Sequence, residues 1–356
     1  MSRKSILPAI CLTLVLTGAG CISFSTGGST GGQGDGGVFK TANKGDLWAQ
    51  KVAIPTTDGS RRSINSVNVT VMVQDPGDPR AIYLGTAENG LWYTFDGGDS
   101  WRAVSGLNRG FVPSVAVDYK DKCTLFVAYD NKLMKSTDCA RTWSDKYVDT
   151  RPTNGASAVA VDFYNPNIVW LAYASGDLLR TDNGGDTWKL VKNFDNNHIL
   201  RLVISAADSR RIFVVLKDKG IWRSDDAGAT WKDLSPGYSK FAGAEKFRDI
   251  AIGVSDPKLM LMASDYGVLR SKDNGDVWES IDLLTPPKTA LIYSVAIDPK
   301  DPNNVYYGTA TTFYRTSNGG TNWVPKKLPT SRAATNLLVD SSDSNVLYMG
   351  TTKFNQ

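Results

Sequence analysis

Residues 94–101 read TFDGGDSW, and six other segments of the 356-residue chain repeat this pattern. Each segment has Ser or Thr first, Asp or Asn third, Gly fifth and Trp eighth, except that Ala140 replaces the glycine in one of them. The other six are TANKGDLW (41–48), STDCARTW (136–143), TDNGGDTW (181–188), SDDAGATW (224–231), SKDNGDVW (271–278) and TSNGGTNW (316–323). Successive tryptophans are 53, 42, 45, 43, 47 and 45 residues apart. This spacing is typical of one four-stranded propeller blade.

The text between these segments predicts four short strands per repeat. Apolar strands come first, as in SVAVD (114–118), AVAVD (158–162), SVAID (294–298) and NLLVD (336–340), and turns rich in Asp and Pro follow. The chain starts with only a third and fourth strand (38–54) and ends with only a first and second (336–351). We therefore predict an all-β fold, a seven-bladed β-propeller of four-stranded blades over 38–356. Its N- and C-terminal strands share one blade and close the ring.

Each repeated segment, called here an Asp box, is a tight turn that needs its polar residues. The Asp or Asn side chain accepts backbone N–H groups of the turn, the glycine takes a positive φ, and the tryptophan buries a large apolar face. A catalytic role for the box carboxylates is the alternative, but the turn already uses these side chains. The residues predicted to be structural are Asn43, Asp96, Asp138, Asn183, Asp226, Asp273 and Asn318, with Trp48, Trp101, Trp143, Trp188, Trp231, Trp278 and Trp323.

The boxes and their spacing resemble the Asp-box (BNR) superfamily over about 320 residues. That superfamily contains sialidases, sortilin-like receptors, xyloglucanase-type glycoside hydrolases and the photosystem II assembly-factor group. The resemblance implies the propeller fold and leaves the function open. A sialidase would also need an Arg-Ile-Pro signature near the first blade, and this chain has none; Arg211-Ile212-Phe213 is the nearest string.

The N-terminus has the features of an export signal. Arg3 and Lys4 precede an apolar run, and small residues lead to Cys21. We predict a lipoprotein signal peptide at 1–20, lipidation of Cys21, and a Gly/Ser-rich tether at 21–37. The mature protein would then be membrane-anchored on the extracytoplasmic side, or secreted if Cys21 is not lipidated.

Composition narrows the kinds of ligand. Loss of residues 1–20 removes two positive charges and lowers the net charge from +4 to +2, so no nucleic acid partner is predicted. The chain has a single histidine, His198, and no metal or cofactor is predicted. Cys123 and Cys139 fall in turns of the same repeat, where export favours a disulfide and two free thiols are the alternative.

A basic residue stands near the start of every first strand. This basic collar comprises Arg62, Arg109, Arg151, Arg201, Arg248, Lys288 and Arg332. Arginines bind carboxylates well, so the collar favours a protein or anionic peptide partner. The loops are short and leave little chain for a substrate cleft. We therefore predict a non-catalytic binding or scaffold propeller. The alternative is a carbohydrate-binding protein or glycoside hydrolase, with a glycan as the partner and aromatic side chains stacking on sugar.

Overall fold

The computed structural model describes residues 34–354 and is built almost wholly of antiparallel sheet. The signal peptide, Cys21 and most of the tether lie outside the described residues. The first strands are β1 (Val38–Thr41), β2 (Ala49–Gln50), β3 (Ala53–Ile54) and β4 (Arg62–Ser63), of which β3 and β4 form a separate hairpin. Within 34–354 no helix has the length and apolarity needed to cross a membrane.

Six blades follow in chain order, each a four-stranded meander. Blade 1 is β5 (Val69–Asp75), β6 (Asp78–Thr86), β7 (Leu91–Thr94) and β8 (Arg102–Ala103). Blade 2 is β9 (Ser114–Val117), β10 (Leu125–Tyr129), β11 (Lys132–Ser136) and β12 (Ser144–Val148). Blade 3 is β13 (Ala156–Val161), β14 (Val169–Tyr173), β15 (Asp177–Thr181) and β16 (Lys189–Asn193).

Blade 4 is β17 (Ile199–Ser205), β18 (Asp208–Leu216), β19 (Gly220–Ser224) and β20 (Lys232–Asp233), followed by a 3₁₀ turn at Ser235–Tyr238. Blade 5 is β21 (Phe247–Ile252), β22 (Met260–Ser264), β23 (Val268–Ser271) and β24 (Glu279–Ser280). Blade 6 is β25 (Ile292–Ile297), β26 (Val305–Thr309), β27 (Thr312–Thr316) and β28 (Val324–Lys327). The last strands are β29 (Ala333–Val339) and β30 (Leu347–Thr352).

The seventh blade combines the two ends of the described chain. Its strand order is β2-β1-β30-β29, and β1 pairs with β30 from Val38 opposite Gly350 to Thr41 opposite Leu347. This arrangement confirms the predicted fold and ring closure. Because β1 pairs with β30, the first and last strands of the described chain do not present open edges where the ring closes.

The apolar core lies between blades. One cluster joins Val38 and Tyr348 of blade 7 to Ile82, Leu84 and Trp101 of blade 1. Trp101 is fully buried, and its indole N–H donates to the Lys51 carbonyl 2.9 Å away, just beyond blade 7. Each junction thus buries large side chains from two blades, which is how short strands obtain a core.

All seven boxes have the same hydrogen-bond geometry. In blade 1 the Thr94 hydroxyl accepts the Gly98 N–H at 3.1 Å and donates to Asp96 at 2.6 Å, and Asp96 accepts the Ser100 N–H at 2.9 Å. The equivalent hydroxyl is Thr41, Ser136, Thr181, Ser224, Ser271 or Thr316 in the other boxes. The box Asp and Asn side chains are therefore used within their own turns. Cys139 and Ala140 take positive φ values of 57° and 67° in the box without glycine.

A second set of hydrogen bonds, the latches, joins each box to the preceding blade. The residue immediately before the box is Lys or Arg in six blades, and its side chain donates to the backbone carbonyl of the fourth box residue in the next blade. The six latches are Lys40–Gly97, Lys135–Gly184, Arg180–Ala227, Arg223–Asn274, Arg270–Gly319 and Arg315–Lys44, at 2.6–3.3 Å. Blade 1 has Tyr93 instead, so the blade 1–blade 2 junction has no such latch.

In blade 2, the residue at the position that accepts a latch in the other blades forms a disulfide. The fourth box residue of blade 2 is Cys139, and it is bonded to Cys123. Its N–H also donates to the Cys123 carbonyl at 3.0 Å. Blade 2 is therefore stabilised by a covalent bond within the blade, at the box whose latch from blade 1 is absent.

Candidate functional site

The structure does not bring the basic collar together. Only Arg201 lines the central channel. Arg151 is paired with Asp149 and Asp177, and Arg248 is paired with Asp265 at 2.8 Å. Arg332 faces Asp35 and donates to the carbonyls of Ser66 and Val67. In the described part of the chain Arg62, Arg109 and Lys288 make no ion pair.

A cavity of about 620 Å³ occupies the central channel and is lined by the innermost strands of the blades. Six of these strands contain a β-bulge near their start. Seven residues, one per blade, lie at the same level of the channel. Each stands four positions before the residue that begins the turn after its innermost strand. This channel ring consists of Val71, Ser114, Ala158, Arg201, Asp249, Ser294 and Asn336.

Polar residues of the channel ring join neighbouring blades. Ser114 accepts the Val159 N–H at 3.1 Å, and Asp249 accepts the Val295 N–H at 3.0 Å. Ser294 donates to the Ala334 carbonyl at 2.7 Å, and Asn336 to the Val69 carbonyl at 3.2 Å. Because an innermost strand has an unpaired edge, these side chains satisfy backbone groups that would otherwise face the channel.

The junction between blades 4 and 5 differs from the others at the channel. Neighbouring innermost strands come within 8 Å of each other along several residues at six junctions, whereas β17 and β21 stand further apart. Arg201 and Asp249 occupy the two sides of this gap. Arg201 donates to its neighbour's carbonyl, Leu200, and its guanidinium lies more than 4 Å from every carboxylate of the described chain.

Asp249 has an unusually high pKa for an aspartate. Burial raises the pKa of its carboxyl to about 6, although the Arg201 charge and the Val295 N–H both lower it. Ser157 lines the same cavity, and its buried hydroxyl has no hydrogen-bond partner in the described structure. The channel thus offers a donor, an acceptor and a free hydroxyl in a largely apolar cavity.

The channel opens towards the box-bearing face through a rim formed by one residue per blade. Each rim residue lies one or two positions after the last residue of an innermost strand: Pro76, Tyr119, Phe163, Ala206, Val254, Pro299 and Ser341. Tyr119 and Phe163 pack with ring centres 3.9 Å apart and ring planes tilted by 34°, and Tyr119 is 42% exposed. Two adjacent blades therefore present an aromatic platform at the channel mouth.

A groove of about 580 Å³ lies on the opposite face beside blade 4. Trp222 and Phe194 form its aromatic part, with ring centres 5.8 Å apart, and the Trp222 indole N–H has no hydrogen-bond partner among the described residues. Four carboxylates line it: Asp195, Asp218, Asp233 and Glu245. Within 34–354 no three His, Cys, Asp or Glu side chains come together as a metal site would require.

The four groove carboxylates are not equivalent. Asp233 accepts the Ser235 N–H and Glu245 the Gly243 N–H. The side chains of Asp195 and Asp218 accept no hydrogen bond from any described residue and are exposed. Both have positive φ, 51° and 55°, which Asp tolerates better than most residues. This pair was not among the predicted site residues, although the turn strings NFDNN and LKDKG contain it.

Comparison with known proteins agrees with the architecture. A family model described as photosynthesis system II assembly factor YCF48 matches residues 108–234. A solved structure of YCF48 bound to D1 peptide superposes with a TM-score of 0.63 at 16% identity, covering 86% of this chain and 99% of that one. A GH74 xyloglucanase from Xanthomonas campestris superposes with a TM-score of 0.67 at 19% identity, covering 80% and 51%.

Curated relatives cover more of the sequence. A xyloglucanase of Acetivibrio thermocellus is 32% identical over 285 residues, 74% of this chain and 31% of the relative. A xyloglucanase of Paenibacillus sp. is 24% identical over 340 residues, 81% of this chain and 30% of the relative. The chain thus spans about a third of the length of the curated relatives it matches.

These relatives correct the functional prediction. The non-catalytic binding or scaffold role, with a protein or anionic peptide as ligand, is wrong, because the curated relatives that align with 74–81% of the chain are xyloglucanases. The YCF48 model matches only the middle third. Short loops were also a poor argument against a cleft, since the 234–246 connection and two shorter turns line a groove. By its seven boxes, its closed ring and these matches, the chain belongs to the Asp-box (BNR) β-propeller superfamily.

Proposed function

We propose that this chain is a glycoside hydrolase of the xyloglucanase type, acting on a β-glucan polysaccharide. The observation that carries the proposal is the 32% identity over 285 residues to a xyloglucanase. Because the chain spans about a third of that relative, its activity and substrate are inferences about this propeller by itself.

The blade 4 groove has the chemistry that a polysaccharide requires. Trp222 is partly exposed and offers an apolar ring face to a sugar, while Phe194 is buried against it with ring centres 5.8 Å apart. Lys192 lies over both rings, 5.2 Å from Phe194 and 5.9 Å from Trp222. The groove lies on the surface, so a long chain could enter from the side rather than by its end.

Asp195 and Asp218 are the proposed acid and base. Glycoside hydrolysis uses two carboxyl groups, one to protonate the leaving oxygen and one to activate water or attack the sugar. These two carboxylates line one groove and are not engaged by protein donors, so both remain available to a substrate. Asp233 and Glu245 already accept backbone N–H groups and fit a positioning role.

The test measures release of reducing ends from xyloglucan by the purified full chain. Asp195→Asn and Asp218→Asn should each reduce the rate by about 10²-fold or more, the usual contribution of a general acid or base. Asp130→Asn is the matched control, because Asp130 lies in the equivalent turn of blade 2 with a similar φ of 51°. This control should retain full activity.

The outcome that contradicts the proposal is equally specific. Hydrolysis that survives the double variant would move the reaction away from this groove. Absence of both hydrolysis and retention on a xyloglucan affinity gel would reject the polysaccharide as substrate.

We also propose that the chain is exported and anchored through Cys21. The support is the N-terminal sequence alone, which places two basic residues, an apolar run and Cys21 in order. A polysaccharide is an extracytoplasmic substrate, so export and the proposed activity agree. Labelled fatty acid should enter the wild-type protein and not Cys21→Ser.

A further inference from the structure

The central channel has features that the blade 4 groove does not explain. It is a separate cavity of about 620 Å³, and it opens on the box-bearing face while the groove lies on the other. Its volume is within the range of small-molecule sites, and its lining is mostly apolar with a few polar groups. Three of those groups, Arg201, Asp249 and Ser157, have hydrogen-bonding capacity left over.

Arg201 and Asp249 face each other across the one junction where the innermost strands separate. Opposite charges on facing strands would ordinarily form an ion pair, yet the Arg201 guanidinium and the Asp249 carboxylate stay more than 4 Å apart. Each can therefore bind a group placed between them. A molecule that both donates and accepts hydrogen bonds fits this pair.

The rim adds a second requirement. Tyr119 and Phe163 present two tilted, closely packed aromatic rings at the mouth, and the remaining rim residues are mostly apolar. A flat molecule with apolar ring faces and hydroxyl edges satisfies both rim and interior. Because one cation and one anion line the interior, the pair is suited to an uncharged ligand.

We infer that the central channel binds the end of a short neutral oligosaccharide, with one sugar ring on Tyr119 and its hydroxyls between Arg201 and Asp249. The choice of a glucan rests on the proposed function, while the site itself is independent of the groove. A chain that is held end-on in the channel emerges on the box-bearing face. The protein would thus hold glucan at two places on opposite faces.

The experiment is calorimetric titration with cellotetraose of the full chain carrying Asp195→Asn and Asp218→Asn, which removes the groove carboxylates. Binding should persist in this variant. Adding Tyr119→Ala should weaken it by at least about 10-fold, and adding Asp249→Asn should weaken it as well. Tyr164→Ala is the matched control, because Tyr164 is the neighbouring exposed aromatic, 57% accessible, and does not line the channel.

Several outcomes would overturn the inference. These are cellotetraose affinity that is unchanged by Tyr119→Ala, affinity that disappears with the groove carboxylates, or a free amino acid that binds in place of the sugar. Tyr119→Ala changes an exposed side chain, so its result does not depend on whether Asp249→Asn folds. If wild-type protein hydrolyses nothing but Tyr119-dependent binding is found, the proposed function fails and the channel site stands.

Discussion

On the box-bearing face, six lysines and arginines donate to carbonyls of the next blade, whereas Arg62, Arg109 and Lys288 on the opposite side make no ion pair in the described structure. The carboxylates differ in the same way. Box residues such as Asp96 and Asp138 accept turn N–H groups, while Asp195 and Asp218 accept none. Lys, Arg and Asp side chains therefore stabilise turns and junctions on the box-bearing face, while some on the opposite face, unlike the paired Arg151 and Arg248, remain available for ligands.

The largest effect should come from the disulfide. We expect the double variant Cys123→Ala/Cys139→Ala to lose about 3 kcal/mol of unfolding free energy, because the bond closes a loop between residues 16 apart. The bond lies within blade 2, so its loss should weaken that blade without breaking a contact to blade 1. Urea unfolding of oxidised and variant protein measures the loss, and wild type in reductant should match the variant. A change below about 0.5 kcal/mol would mean that blade 2 needs no covalent support.

The next effect should separate the two faces directly. Arg223 is only 9% exposed and donates to the Asn274 carbonyl, Asp225 and Asp276. We expect Arg223→Ala to cost about 2 kcal/mol, because the guanidinium is buried and its charged hydrogen bonds to three acceptors are lost. Arg109→Ala on the opposite face should cost less than about 0.5 kcal/mol. Equal losses in urea unfolding would erase the proposed difference between the faces.

Substitution of Asp249, in the channel ring, should raise the free energy of unfolding rather than lower it. Because burial raises the pKa of Asp249 to about 6, its charged form destabilises the fold near neutral pH. The unfolding free energy of wild type should fall as the pH rises from about 4 to about 6. Asp249→Asn should therefore be about 1–2 kcal/mol more stable at pH 7 and nearly equal to wild type at pH 4.

One control variant and one contrary outcome sharpen that expectation. Ser294→Ala, in the same channel ring, removes a bond to the Ala334 carbonyl and should destabilise at every pH. An Asp249→Asn protein that is less stable than wild type at pH 7 would show that the Val295 bond outweighs the burial of charge. A stabilising substitution of this kind is common at residues kept for function.

The sequence was sufficient for the fold and insufficient for the sites. The seven boxes at blade spacing, and the half-blade at each end of the sequence, predicted the correct closed ring, because the same turn chemistry repeats along the chain. The channel ring could not be read in that way, since Arg201 and Asp249 meet only through the bulges and strand registers of two blades. The collar prediction took no account of local ion pairing. Arg151 is bound by Asp149, two residues before it, a pairing that the text DTR already contained.

The smallest effect should distinguish boxes that carry Asp from boxes that carry Asn. The Thr142 hydroxyl and N–H, with Ser136, lower the pKa of Asp138 to about 2. Stability from this carboxylate is complete above the ordinary pKa near 4 and is lost as the pH falls towards 2. Asp138→Asn reproduces the Asn boxes of blades 3, 6 and 7, so unfolding at pH 7 should be unchanged and the acid midpoint should move slightly lower. Tryptophan fluorescence between pH 5 and pH 2 measures that midpoint. Asp218→Asn, on the opposite face, should leave it where it is, because no donor in the described structure holds that carboxylate. A shift of the same size in both variants would show that acid unfolding reflects net charge alone, and the assignment of box carboxylates to stability would then fail.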